Sequence, residues 1–440
     1  MGSSKPTFSD NSDSTIDSLG SRTITSPLQH RRFVEDRSRI LYDTSAERLR
    51  ERLDETGEIM TFEEAGPRDK LFFDPLNARA AIVTCGGLCP GTNDVIRSVV
   101  HTLTYGYGVR IIKGVQYGYS GLNPDSKLPF VDLTPDVVRS IHQNGGTFLG
   151  SSRGPQPTDV LVDTLYREDI RLLFVIGGDG TLRGADEIYR EVKSRGLSMA
   201  VIGIPKTIDN DIGVVSRTFG FDTAVNKAVD ALQAAHVEAR GAVNGIGIVK
   251  LMGRHAGFVT AHASLASADA NFVLVPEVPF DLEGPRGFLS ALEKRLEIRD
   301  HALVVVAEGA GQNLFDEELG KDASGNAILG NIGVLLRERI KQYFSERGVE
   351  HSVKYIDPSY MIRSVPANAN DRIFCGFLGQ YAAHAAMAGK TGLLIGSWNN
   401  LFIHVPLGLA VSKHKRIDPE GVIWTSVLEA TGQPGRMLND

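Results

Sequence analysis

The sequence predicts an α/β fold of two Rossmann-like parallel-sheet domains, with helices on both faces of each sheet, plus an N-terminal extension. A chain of 440 residues is too long for one average domain. Short β-branched apolar runs recur along it, at Ala80–Thr84, Leu172–Ile176, Ala200–Ile204, Ile246–Leu251, Phe272–Val275 and Leu303–Ala307. Glycine-rich or polar turns follow them, and then longer amphipathic segments. A strand buried on both faces has no polar face to alternate, so continuous apolar runs separated by helices describe covered parallel sheets. In such sheets function collects in the loops at the carboxyl ends of the strands. The unusual residues of this chain fall there.

The preceding chain differs. Met1 to about Arg32 is rich in Ser, Thr and Asp and reads as a loosely held tail. From Phe33 to about Asp74 the chain is charged, with a short helical pattern over Ala46–Leu53. This looks like an extension that wraps a body rather than a unit with its own core.

Composition narrows the function classes. With 42% hydrophobic and 23% charged residues the chain has ample material for a core. A net charge of −6 gives no electrostatic reason to expect a nucleic-acid partner. A small anionic substrate would need locally placed Arg and Lys. The sparse, odd set of cysteines, Cys85, Cys89 and Cys375, argues against a disulfide scaffold and fits a reducing cytosol. Cys85 and Cys89 lack the neighbouring Cys or His that would complete a zinc site. No apolar run reaches the roughly 18 residues of a membrane span, and no signal or peroxisomal address is present. The expected location is the cytoplasm.

The candidate chemistry begins with Cys85-Gly86-Gly87-Leu88-Cys89-Pro90-Gly91 after the first run. Glycines let backbone N–H groups approach an anion, and the following helix start adds its positive end; a tight structural turn is the plain alternative. Gly177-Gly178-Asp179-Gly180-Thr181 suits a Mg–nucleotide site, with Asp179 on the metal and backbone N–H groups on phosphate oxygens. It lacks the Gly-Lys-Ser/Thr ending of a P-loop and is no GxGxxG fingerprint.

Lys206-Thr207-Ile208-Asp209-Asn210-Asp211 sets two carboxylates beside a lysine. A loop of this kind is costly near phosphate unless a metal or a proton transfer uses it. Met252-Gly253-Arg254-His255 offers a guanidinium that can fork onto phosphate. Glu308 before glycines suits sugar hydroxyls, and Tyr360-Met361-Ile362-Arg363 offers a further phosphate clamp. A surface ion pair, a helix cap and an ordinary turn are the bland readings of these last three.

Taken in this order, GGDGT, PKTIDND, MGR and SYMIR resemble the phosphofructokinase family over about Ala80 to Gln433. The resemblance implies phosphoryl transfer from Mg–ATP to the 1-hydroxyl of fructose 6-phosphate. It implies ATP contacts at Gly87, Arg153, Gly154, Gly178, Asp179, Gly180 and Thr181, with Asp179 on Mg²⁺. Thr207, Ile208 and Asp209 would hold the sugar, with Asp209 as general base and Lys206 offsetting charge. Met252, Gly253, Arg254, Glu308, Tyr360, Met361, Ile362 and Arg363 match the fructose 6-phosphate pocket. The nucleotide domain is then expected over 76–213 and the sugar-phosphate domain over 214–380. Residues 1–75 would form the extension, and 381–440 a segment packing back on the body.

Gly180 and Lys206 bear on the donor. Pyrophosphate-using relatives carry Asp at the position of Gly180, where a carboxylate would fill the space of the ATP α-phosphate. They also use a lysine such as Lys206. Gly180 carries more weight, so ATP is expected and pyrophosphate is the alternative. A purely regulatory subunit would be expected to have lost catalytic positions, yet Asp179, Asp209 and Arg254 are all present. Two departures from the short bacterial enzymes stand out. Gly245 replaces an arginine that reaches across a subunit contact, and Lys354 replaces a phosphate-binding arginine. The family habit is a homo-oligomer, tetramer or dimer.

Overall fold

The computed structural model describes residues 14–29, 32–315, 320 and 327–439. Part of the tail expected before Arg32, namely 1–13 and 30–31, lies outside the described residues. The part that is described is tied down. Asp17–Ser18 pairs with Lys390–Thr391, and Ile24–Thr25 pairs with Lys70–Leu71. Two-residue strands have no period to read, so these pairings are not legible before folding.

The apolar runs form two sheets, as expected. In the nine-stranded sheet the parallel strands are Ile111–Val115, Arg79–Thr84, Leu172–Gly177, Ala200–Pro205 and Leu393–Trp398, in that spatial order. Antiparallel strands Leu401–Pro406, Thr61–Glu64 and Arg39–Leu41 extend one edge and Val131–Asp132 the other. The second sheet is parallel, in the order Phe272–Leu274, His301–Ala307, Gly245–Leu251, Ser352–Ile356. Ser352–Ile356 does not read as a continuous apolar run, because an exposed Lys354 interrupts it.

Side-chain alternation builds the layers. Phe174 and Ile176 enter a core shared between the two sheets, whereas Leu173 and Val175 face a second core behind the first sheet. Leu303 and Val305 likewise enter the shared core, and Val304 and Val306 a third. Helices cover these faces for the usual reason. In Asp179–Ser194 the buried residues Leu182, Ala185, Ile188 and Val192 recur every three or four positions.

The chain returns late to the first sheet. Helix Ala369–Met387 packs on helix Thr92–His101, and Leu393–Trp398 joins the parallel strands. The boundary expected at residue 380 thus falls within that helix. Among the described residues no helix is long and apolar enough to cross a membrane.

A buried ionic cluster fastens the extension to this return. Glu63 contacts Arg68 and Lys390 at 2.9 Å each and His404 at 3.0 Å, and all four side chains are buried. Burial alone would raise the Glu63 carboxyl, but His404 and Lys390 outweigh it and hold its pKa down at about 2. Its stabilisation is therefore complete above the ordinary Glu value of 4.5 and is lost as pH falls from there toward about 2. Glu63→Leu strips the partner from buried cations and is expected to cost about 3–5 kcal/mol. Thermal melts across pH 2–7 should show the wild-type acid limb and a flatter one in the variant. Equal stabilities at neutral pH would contradict this.

Candidate active site

In the first sheet the chain places Arg79–Thr84 centrally, goes to one side for Ile111–Val115 and to the other for Leu172–Gly177. A crevice must open between the loops after Arg79–Thr84 and Leu172–Gly177, because the chain leaves these strands in opposite directions. A cleft of about 570 Å³ lies against the first of these loops, lined by Gly86, Gly87, Leu88, Gly145–Thr147, Gly150–Arg153 and Arg363.

Close approach of backbone defines this cleft. Gly86 (φ +86°) donates its N–H to Ser152 O at 3.1 Å, and Ser151 Oγ donates to Gly86 O at 2.5 Å. A Cβ on Gly87 would stand 3.4 Å from an Arg153 guanidinium nitrogen and 3.8 Å from one of Arg363. Two cations thus converge on a bare backbone, as an anion site requires. The Arg363 Nε is buried without a partner among the described residues, and its guanidinium lies over the Tyr360 ring at 4.9 Å. Lys206 is buried and donates from Nζ to Gly87 O at 2.6 Å. Burial pushes its pKa down, and the Arg153 and Arg363 charges add to this.

Asp179 opens the helix Asp179–Ser194, where a carboxylate meets the positive end of the helix. Arg183 spans both of its oxygens, at 3.0 and 3.3 Å. This pair is solvent-exposed and worth no more than about 1 kcal/mol, so a stronger ligand can displace it. Gly177 is required: a Cβ there would sit 2.2 Å from Thr181 Cβ. Gly180 faces open space, with nothing within 4 Å of a built Cβ.

The loop after Ala200–Pro205 carries the acids. Thr207 Oγ1 accepts from Asp209 N and donates to Asp211 Oδ1, both at 3.1 Å. Asp209 is half-buried, and its Oδ1 is shielded from water with no hydrogen-bond partner among the described residues. Burial, then the Asp211 and Glu308 charges, push its pKa well above the carboxylate range; Arg254 and Lys206 offset part of this.

The second sheet supplies Arg254 and Glu308. Its loops are joined backbone to backbone, Glu308 N to Leu251 O at 2.9 Å and Gly309 N to Gly253 O at 3.0 Å. A Cβ on Gly309 would sit 2.0 Å from Arg254 O, so the join tolerates only glycine. Arg254 donates to Ala327 O.

The residues singled out from sequence thus fall into two neighbouring groups. Gly87, Arg153 and Arg363 line the cleft, with Lys206 and Thr181 behind its glycine backbone; Asp209 lies within the electrostatic reach of Glu308 and Arg254. Gly154 (φ +97°) follows the cleft residue Arg153, and Gly178 caps the Asp179 helix. Met252 is half-buried beside Gly253, while Tyr360 and Met361 are exposed. Ile208 and Ile362 are buried in the core, which leaves only their backbone for a ligand. Lys354, on the neighbouring strand, is exposed.

Sequence reasoning missed Lys250, which braces the Tyr360 segment through Asp357 at 2.7 Å. It also missed His414, 4.0 Å from Asp179 and 3.9 Å from Asp211. The signal available for His414 was the basic run Lys413–Arg416, far along the chain from every other segment. Among the described residues no group of His, Cys, Asp and Glu could by itself hold a metal ion.

Comparison with known proteins agrees with this geometry. The phosphofructokinase family profile matches residues 79–386. The chain is 48% identical to the ATP-dependent 6-phosphofructokinase of Borreliella burgdorferi, over 98% of this chain and 99% of that protein. It is 47% identical to the ATP-dependent 6-phosphofructokinase of Trypanosoma cruzi, over 84% of this chain and 76% of the relative. Among solved structures, a pyrophosphate-dependent phosphofructokinase from Marinobacter aquaeolei is similar with a TM-score of 0.67 at 20% identity, covering 81% of this chain and 92% of that one. Phosphofructokinase from Saccharomyces cerevisiae gives 0.61 at 23% identity, covering 80% and 48%. Those two likenesses are of fold. A family match across most of the chain, with near-half identity to a relative along its full span, joins the crevice and the acid loop in one conclusion: the chain belongs to the phosphofructokinase family.

Proposed function

We propose that the protein transfers the γ-phosphoryl group of ATP to O1 of fructose 6-phosphate, giving fructose 1,6-bisphosphate, the committing step of glycolysis. The observation that carries this is a carboxyl, Asp209, with one oxygen sealed from water and without a partner among the described residues, in the loop that also sends Lys206 to the cationic cleft. Asp209 accepts the O1 proton as the O1–P bond forms and the bond to the bridging oxygen of ATP breaks, releasing ADP. The nucleotide phosphates lie along Gly87, Arg153 and the Gly178–Thr181 loop. Arg254, Tyr360 and Arg363 grip the 6-phosphate and aim O1, while Lys206 offsets developing charge. Positioning and fixed electrostatics provide most of the acceleration.

The donor set suits Mg²⁺ brought on the nucleotide. A carboxylate at a helix start with no cage of further ligands among the described residues is the usual arrangement for an ion that keeps waters and phosphate oxygens as ligands. Asp179 would hold it directly or through water, and the ion would neutralise charge on the transferring group.

ATP is favoured over pyrophosphate by the open space at Gly180 and by the ATP-dependent relatives. Buried free thiols at Cys85, Cys89 and Cys375 support a cytoplasmic location. A homo-oligomer, tetramer or dimer, is the proposed assembly, as the resemblance to the family implies.

Asp209→Ser is expected to cut kcat by roughly 10²–10⁴ while both KM values stay close to wild type; near-normal turnover would sink the base assignment. The raised pKa of Asp209 has a sign that can be tested. The base works deprotonated, so kcat/KM should fall as pH drops through that pKa, on a limb above the ordinary carboxylate range. A pH–rate profile whose acid limb falls within the ordinary carboxylate range would contradict this. With ATP and pyrophosphate assayed in parallel, wild type should use ATP. Gly180→Asp should raise the KM for ATP by roughly tenfold or more, since a carboxylate then meets phosphate.

A further inference from the structure

The loop carrying Asp209 is held in a conformation it would not adopt alone. Asn210 (φ 54°) and Val214 (φ 61°) are both left-handed. For a β-branched valine this costs on the order of 1–3 kcal/mol and persists only where neighbours over-determine the backbone.

The neighbour is Lys415. Its Nζ donates to Asn210 Oδ1, Val215 O and Ser216 O, each at 3.0 Å, which uses every ammonium proton. Its backbone N–H donates to Asp211 O at 2.8 Å. The ammonium also lies over the Phe258 ring at 5.3 Å. Asn210 Oδ1 in turn accepts from Thr218 N at 3.1 Å, so Lys415 completes a network around the acid loop. Burial pushes its pKa down to about 7, with Asp211 offsetting part. An ion held at that cost is justified only by the contacts it makes.

The adjoining residues reach across the site. His414 stands between Asp179 and Asp211 and lies 5.2 Å from the His255 ring. Ile417 N donates to Glu277 Oε1 at 2.9 Å, and the same oxygen accepts from Gly257 N at 3.0 Å. The segment 414–417 therefore touches loops of both sheets, yet it belongs to none of the glycine-rich, acidic or arginine-bearing segments of the site.

We propose that Lys415 is a positioning residue for phosphoryl transfer: through Asn210 and the 211–216 backbone it fixes the loop that presents Asp209 to the acceptor hydroxyl. This rests on Asp209 being the base. A misplacement of about 1 Å in such a loop costs on the order of 10²-fold in rate, whereas a merely structural lysine would alter stability and leave turnover per folded enzyme unchanged.

The test compares full-length wild type, Lys415→Met, Lys415→Gln, Asn210→Ala and Asp209→Ser in one steady-state assay with ATP and fructose 6-phosphate, alongside thermal melts. Lys415→Met is expected to lower kcat roughly 10- to 100-fold, with both KM values within about threefold of wild type. Lys415→Gln keeps a donor and should fall between; if the Met variant does not fold, the Gln variant decides on the same criterion. The Lys415→Met/Asn210→Ala double variant should be no worse than its more severe parent, because the two act as a unit. A folded Lys415 variant with kcat within about twofold of wild type, or additive losses in the double variant, overturns the proposal. Normal turnover in Asp209→Ser would instead overturn the base reading on which it rests.

Discussion

The site is organised around a carboxyl group that is kept from water without a partner. Asp209 has an oxygen sealed from solvent with no hydrogen bond among the described residues, and acids lie close by at Asp211 and Glu308. In water such a group would ionise below neutral pH and be a poor base. Here burial and like charge oppose ionisation, so the group holds its proton more tightly and accepts one more readily. Folding must tolerate that unfavourable arrangement, and much of the surrounding structure keeps it in place. Asp211 is tied by Thr207 and by the backbone of Lys415, and Arg254 and Lys206 offset part of the repulsion.

The opposite electrostatic problem is solved across the crevice. A polyphosphate needs positive charge and N–H groups brought close, and long side chains alone would hold it loosely. The chain instead exposes backbone at Gly86 and Gly87 and brings Arg153 against it, with Lys206 behind, and Arg363, proposed to grip the 6-phosphate, closes in on the same backbone. These groups come from loops after different strands and from a helix late in the chain. Their meeting depends on the parallel register, Cα by Cα, of Arg79–Thr84, Leu172–Gly177 and Ala200–Pro205.

The ends of the chain hold this register. Strands of the N-terminal extension and of the late return lie along one edge of the first sheet, where unpaired strand groups would otherwise remain. The cluster of Glu63, Arg68, Lys390 and His404 fastens the two together through partners more than 300 residues apart in sequence. It works only in the folded chain, where opposite charges are brought together away from water.

The sequence by itself determined the sheet-forming runs, since a strand buried on both faces must be apolar throughout. It also marked the loops with chemistry, since glycines, adjacent acids and isolated arginines are costly unless used. Asp179, Asp209, Arg254 and Glu308 were legible for that reason. Tertiary structure alone decided what was not local. The short edge strands have no periodicity, and Ser352–Ile356 is a strand because Gly245–Leu251 lies beside it. Lys250 and Glu63 become meaningful only through their partners. Lys415 looks like a solvated charge in a basic run, and becomes a half-buried brace because three acceptors from the acid loop converge on its ammonium. A side chain's intrinsic preference is written in the sequence, but its desolvation and its distant partners exist only once the sheets have packed.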